Sequence, residues 1–404
     1  MKLQQTDVGE TDNRMKRMKR LTLWIMALTA GLVVANNYYN QPLLGDLAAS
    51  FGVREQQASN IAALTQLGYA LGMLFLLPLG DKVERRNLIS IMLLLAAGAL
   101  LAFAAAGNFP QLLLFGFLIG FCSIVPQILP TFAAKVAGPD GAGEAIGLVM
   151  GGLLLGILLS RFVGGELGHW FGWRTVYFLA AAIMLLLLAT LRLTLPKVAP
   201  TFQGGYGELL ASLAALFRRH TVLRVTAIGA ALQFAAFSLF WTTLAFYLLS
   251  LDRGYTAATA GLFGLVGAGG ALAAPVAGRL SRRLSAPGLL LIGGSLMTLS
   301  FISYAMAHGQ LLALIPGVVL MDLGMQISHV ISMHCNYRLD PQAVSRLNTL
   351  YMVTRFFGGA LGTFAGGIVW PLAGWLGVCV LGVFFCLLAL VLQQRLRRLI
   401  TPNG

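Results

Sequence analysis

Charge is what this sequence has least of. Of its 404 residues only 10% are Asp, Glu, Lys or Arg, and 58% are hydrophobic, whereas soluble domains run near a quarter charged and about half apolar. A soluble fold is excluded. Cysteine is scarce as well: Cys122, Cys335, Cys379 and Cys386 stand singly in or beside apolar stretches. That spacing suits neither a disulfide framework nor a thiolate metal site, so they are read as packing residues. The first twenty residues lack the apolar core and small-residue cleavage site of a secretory signal, which predicts a retained cytoplasmic tail over 1–20. No nucleophile elbow, nucleotide loop or metal motif occurs, and His329 and His334, five apart, fall on different faces of a helix. The expectation is a protein that is not an enzyme and takes no cofactor or metal.

What the sequence has in abundance is long apolar runs. A helix needs roughly 20 apolar residues to cross the hydrocarbon core, which predicts spans at 21–43, 57–79, 87–107, 111–135, 144–167 and 173–195. After a polar stretch, 196–221, six more follow at 222–249, 256–278, 286–307, 311–334, 346–369 and 372–394, before a tail over 395–404. With the N-terminus inside, only Arg54, Arg174 and Arg253 fall in outer loops, while Arg161 and Arg355 lie within spans and every other base is cytoplasmic. This is the asymmetry that orients inner-membrane proteins, with both termini cytoplasmic. It also accounts for the net charge of +14 without nucleic acid as a partner.

Amides and charges are costly in lipid and therefore face protein or a cavity. Spans 3, 6, 8, 9 and 12 carry none away from their ends, whereas the others do: Asn36, Asn37, Asn40 and Gln41 in the first, Asn60 and Gln66 in the second, Gln127 in the fourth, Arg161 in the fifth, Gln233 in the seventh, Asp322, Gln326 and His329 in the tenth, Asn348 and Arg355 in the eleventh. Every third span is bland. This predicts an all-α membrane protein of twelve transmembrane helices in two pseudo-symmetric six-helix bundles, 21–195 and 222–394, with the third helix of each three-helix repeat outermost.

Three motifs carry a resemblance. The second span ends in GYALGMLFLLPLGDKVERRN, where Asp81, Lys82, Arg85 and Arg86 form an acid beside clustered bases; Leu77 and Glu84 stand where glycines are usual in the pattern. The fifth span reads GLVMGGLLLGILLSRFVGG, with Gly147, Gly156, Gly164 and Gly165 at a spacing that permits close helix packing. A Gly172-Trp173-Arg174 turn precedes the sixth. Together these resemble the major facilitator superfamily, and within it the drug:proton antiporter and sugar-efflux-like branch. The resemblance covers nearly the whole chain and implies a gating role for Asp81, Lys82, Arg85 and Arg86. The matching loop of the second half, AGRLSRRLS over 277–285, has Arg282 where the acid would be, so an acid-based lock would be one-sided.

Asp322 is the only one of the 14 acids near the bilayer middle. Two readings stand beside it: a proton carrier, or half of an ion pair with Arg355 on the neighbouring helix. His329 is a second proton-coupling candidate, since it and Gln326 continue the face of Asp322. Arg161 and Arg355 can grip a carbonyl or anionic cargo through paired donors, or neutralise Asp322. The sequences SRFVGGELG and TRFFGGALG suggest that the two arginines are equivalent, but pairing Gly156 with Gly358 places them about two turns apart, at different depths. Asn36, Tyr39, Asn40, Gln66, Gln127, Gln233, Trp241 and Gln326 complete the candidate substrate-binding set. The expected function is a monomeric secondary transporter in the bacterial inner membrane that exports a small organic molecule in exchange for protons, with lipid around it. The alternative is a proton-coupled importer of a small anion.

Overall fold

The computed structural model describes residues 20–138, 141–198, 205–251, 253–271, 284–307, 309–340 and 343–400. The tail before Arg20, the linker residues 199–204, the bases of the loop over 277–283 and the side chain of Asp81 lie outside this description. The first half contains α1 (Arg20–Phe51), α2 (Glu55–Phe75), α3 (Arg85–Ala104), α4 (Phe109–Ala137), α5 (Ala142–Phe171) and α6 (Trp173–Thr194). A linker helix (Tyr206–Arg219) follows, and then α7 (Thr221–Ser250), α8 (Ala257–Ala271), α9 (Ala286–Ala305) and α10 (Leu311–Tyr337). The last helical run, Val344–Ile400, is two helices: Gly374 adopts φ 56° and ψ −154°, a conformation an L side chain rarely takes, and so divides α11 from α12.

Nine of the described helices are long and apolar enough to cross a membrane, with α11 and α12 counted as one. The described part of α8 is short, and α2 falls below on apolarity because Gln56, Gln57, Ser59, Asn60 and Gln66 dilute it. Counting these, twelve crossing helices result. The bland third helix of each repeat is outermost, as its composition predicts: Ile91 and Leu94 on α3, Leu186 and Leu193 on α6, Leu299 on α9 and Phe384 on α12 are exposed at the perimeter, whereas α8, equally bland, packs on α5 between the halves. The linker helix is amphipathic, with Leu209, Leu213 and Leu216 buried, and Tyr206 Oη donates to Phe75 O at the end of α2, 2.6 Å away.

Two membrane helices are interrupted mid-course, and proline explains both. In α1 the helix loosens into a turn over 36–39 before resuming at Asn40. Pro42 has no N–H for the Tyr38 carbonyl, which instead accepts from Gln41 N at 3.2 Å. This carries α1 to Phe51, past the expected end at 43. In α4 the break falls at Ser123 and Ile124, just before Pro126. The two breaks touch, with Asn36 Nδ2 donating to Ser123 Oγ at 3.3 Å.

Of the four α5 glycines singled out by their spacing, Gly156, Gly164 and Gly165 pack closely and Gly147 does not. Gly156 lies against the backbone of Gly31 on α1 and Gly152 against Ala27, so closely that any side chain would collide. Gly147 instead faces open space. The second half repeats the arrangement, Gly358 and Gly362 of α11 meeting Ala231 and Ala235 of α7. Arg161 follows its glycine contact and Arg355 precedes its own, so the two arginines sit on opposite sides of the helix crossings and are not equivalent.

At one end of the bundle the two halves close on each other. Gly165 of α5 abuts the Ala257 carbonyl of α8, Gly261 abuts Arg161 O, and Gly367 of α11 abuts Ser59 of α2. Trp370 Nε1 donates to Glu55 Oε2 at the same end.

Candidate functional site

Between the halves lies a cavity of about 80 Å³, small for a binding site and bounded by α1, α4, α5, α7, α8, α10 and α11. Its polar lining is Tyr38, Gln127, Asp322, Gln326, His329 and Arg355; Met150, Leu153, Phe234, Phe237, Met352 and Phe356 are among its apolar walls. Gln127 donates to Tyr69 Oη at 3.1 Å and also lines a second cavity beside Arg85, Thr131, Tyr337 and Asn348, toward the opposite end from the closed one. A larger apolar groove, about 640 Å³, runs over α1, α5 and α6. It is rimmed by Trp24, Leu28 and Leu155, all more than half exposed, and so belongs to the lipid-facing surface.

Asp322 is only 6% exposed, and its Oδ2 has no hydrogen-bond partner. A Cβ on Gly267 of α8 would fall 2.7 Å from that oxygen, so the glycine makes the room in which the carboxyl sits. Of the two readings of Asp322, the ion pair with Arg355 is not formed in this conformation. Arg161 of α5 is brought to the same stretch of α8, since Gly264, one turn before Gly267, abuts Arg161 Cβ.

Arg161 does not line the cavity. It is 1% exposed and enclosed by rings, with Cζ 4.1 Å from the centroid of Trp241, 4.9 Å from Tyr38 and 5.5 Å from Phe237. Its Nε donates to Gln41 Oε1 at 2.7 Å and its Nη1 to Ile157 O at 3.3 Å, while Nη2 is unpartnered. Such a cage offsets the cost of a buried guanidinium through cation–π contact and a charge-assisted hydrogen bond. Trp241 thus serves the arginine rather than the cavity.

Arg355 is turned toward α10. Its Nη1 lies 2.6 Å from His329 Nδ1, and Tyr351 Oη is 3.0 Å from the same nitrogen. A guanidinium only donates, so Nδ1 is an acceptor and His329 carries its hydrogen on Nε2. In this conformation His329 is an anchor for Arg355. The guanidinium also lies 4.6 Å over the Phe234 ring, and its Nε has no partner.

The remaining candidates are spent on helix contacts. Gln66 Nε2 donates to Thr363 Oγ1 at 3.2 Å and its Oε1 accepts from Ser238 Oγ at 3.1 Å; Thr363 is in turn 3.2 Å from Thr242. One amide of α2 is thereby held by α7 and α11 of the other half. Gln233 donates to Ser328 Oγ at 3.1 Å, Asn40 to Thr65 Oγ1 at 3.1 Å, and Asn36 to Ser123. Tyr39 faces the lipid-side groove, beside Gly164. Of the expected substrate-binding set only Arg355, Gln127 and Gln326 line the central cavity. In the α2–α3 loop, Arg85 donates to Gly80 O and Thr131 Oγ1 and Arg86 to Leu195 O, all within the first half, and Lys82 is exposed. Tyr351 was not among the candidates, although it stands one turn before Arg355 on the same face.

Residues 26–363 match the family model described as Major Facilitator Superfamily. The chain is 40% identical over 371 residues, 92% of its length and 94% of the relative's, to an uncharacterized transporter, YgaY, of Escherichia coli O157:H7. It is 34% identical over 362 residues, covering 89% and 84%, to a probable transporter, SCO4007, of Streptomyces coelicolor. Among solved structures, the nucleoside transporter NupG superposes with a TM-score of 0.76 at 16% identity, over 95% of this chain and 100% of that one. The peptide transporter POT superposes with a TM-score of 0.75 at 17% identity, over 93% and 95%.

Proposed function

The chain belongs to the major facilitator superfamily, and on that premise we propose that it exports a small organic molecule across the bacterial inner membrane in exchange for protons, by alternating access of the central cavity. The observation that carries this reading is Asp322: it is buried and open to the cavity, has an oxygen without a partner, and shares one face of α8 with Arg161 of the other half, Gly267 abutting the carboxyl and Gly264 the arginine. A carboxyl in low dielectric holds or releases its proton according to the charges that face it. Rocking one half against the other changes the distance between α5 and α10, and with it the hold of Arg161 on Asp322. Cargo that occupies the cavity beside the carboxylate competes with the proton. The Asp81, Lys82, Arg85 and Arg86 cluster gates the end opposite the closed one, the two bundles 21–195 and 222–394 are the rocking bodies, and the linker 196–221 joins them on the cytoplasmic side. The protein works as a monomer, with lipid against its outer helices.

A second reading, proton-coupled uptake of a small anion, rests on one fact: Arg355 lines the cavity and has no acid paired with it among the described residues. Proteoliposomes with an imposed pH gradient separate the two. Exchange drives ligand toward the acidic compartment and cotransport toward the alkaline one. A distribution indifferent to the gradient refutes proton coupling altogether.

A further inference from the structure

The cavity wall carries two ionic groups of opposite sign, each with an atom left unpartnered: Asp322 Oδ2 and Arg355 Nε. They are not paired with each other. Asp322 and His329 are seven residues apart, about 10 Å along the axis of α10, and the Arg355 guanidinium is fixed beside His329 Nδ1 at 2.6 Å. Tyr351 Oη on the same nitrogen and the Phe234 ring under the guanidinium hold it there. The rest of the wall is mostly apolar or aromatic, Phe237 and Phe356 among it, with Gln326, Gln127 and the Tyr38 hydroxyl as its uncharged polar groups.

We propose that the cargo is a slender zwitterion whose anionic and cationic ends are well separated, the anion on Arg355, the cation on Asp322 and an apolar chain between them. A molecule with one charge leaves either Asp322 Oδ2 or Arg355 Nε without a partner, which is costly for a buried polar atom. A sugar finds few donors and acceptors in such walls, and among the described residues lining the cavity a polyanion finds one guanidinium, that of Arg355. The rise of about 10 Å along α10 between Asp322 and the histidine that anchors Arg355 calls for a cargo whose charges stand apart along a chain. That excludes α-amino acids, whose charges are adjacent, and fits an ω-amino acid. The inference rests on the exchange reading above and explains it, because the cationic end and the proton contend for the same carboxylate. The other titratable groups around Asp322 and its cavity, Arg355 apart, are Tyr38 from α1, Arg161 from α5, Tyr304 from α9 and His329 from α10. His329 is a positioning residue for Arg355.

The test is equilibrium binding to the purified full-length protein at one fixed pH, with 5-aminovalerate, valerate, pentylamine and norvaline as probes. The expected result is 5-aminovalerate binding about tenfold or more tighter than each of the others. Asp322→Asn should bring its affinity down to that of valerate while leaving valerate unchanged. Arg355→Gln should bring it down to that of pentylamine, and His329→Phe should weaken 5-aminovalerate and valerate alike but not pentylamine. Valerate or pentylamine binding as tightly as 5-aminovalerate, norvaline binding as tightly, or no probe binding at all overturns the proposal. The comparison among probes on the unaltered protein decides the matter even where a variant fails to fold. It is also independent of proton coupling, which the pH-gradient experiment reads separately.

Discussion

Replacing Gln66 with leucine keeps the volume of the side chain and removes the only amide that α2 places between α7 and α11. Two hydrogen bonds across the halves are lost, to Thr363 and from Ser238. Buried hydrogen bonds in membrane proteins contribute roughly 0.6 kcal/mol on average and up to about 1.7. Losing both therefore destabilises the closed end by about 1 to 3 kcal/mol, which moves the balance of conformations by roughly 5- to 150-fold toward the state in which that end is open. Double electron–electron resonance between spin labels on Arg54→Cys and Leu372→Cys reads this directly, since both sites are exposed at the closed end and the four native cysteines are buried. Gln66→Leu should transfer population from the short to the long distance. Gln233→Leu is the control: it breaks a hydrogen bond of similar length to Ser328, but both partners lie in the second half. Identical distance distributions in Gln66→Leu and the unaltered protein refute the assignment of this cluster as a latch between the halves.

Arg161→Lys keeps the charge but loses the flat face stacked on Trp241 and the Nε bond to Gln41; the loss, about 2 kcal/mol, should lower the melting temperature of the purified protein, and an unchanged melt would mean the cage is not stabilising. Gly156→Leu should cost about 1 to 3 kcal/mol or abolish folding by forcing α5 away from α1, whereas Gly147→Leu, in open space, should melt as the parent does; equal effects would contradict the packing described. Asp81→Asn should slow turnover at normal expression if the acid gates the α2–α3 end, and unchanged turnover would reduce that loop to an orientation signal.

Much of the fold is legible in the sequence because lipid punishes polar side chains so steeply. The bland third helices are enough to predict which elements lie outside, and α3, α6, α9 and α12 do. The Gly156 and Gly358 register is enough to separate the depths of Arg161 and Arg355. The site was legible only in part. A polar residue within a span announces that it avoids lipid, but not whether it faces a cavity or another helix: Gln66, Gln233, Asn36 and Asn40 are all engaged in helix contacts. Which of the two readings of Asp322 holds was not legible for the same reason. Asp322 and Arg355 are on helices adjacent in sequence, yet the long Arg355 side chain reaches one or two turns along α10 to His329, and the neighbour of Asp322 comes from the other half. Pairings across the two halves depend on how the bundles sit together, which no local pattern records. The interruption of α1 was readable from Pro42 and its missing donor.

The central claim is that Asp322 carries the coupling proton, and the most direct measurement is accumulation in proteoliposomes by Asp322→Asn. The substrate is the ligand that most raises the melting temperature in a screen of antibiotics, sugars, amino acids and organic anions. The asparagine keeps the shape of the side chain beside Gly267 and cannot exchange a proton. The account predicts that an imposed pH gradient no longer concentrates the ligand, while downhill exchange of labelled for unlabelled ligand continues. Accumulation against the gradient at the rate of the unaltered protein would contradict it and place the proton on another group.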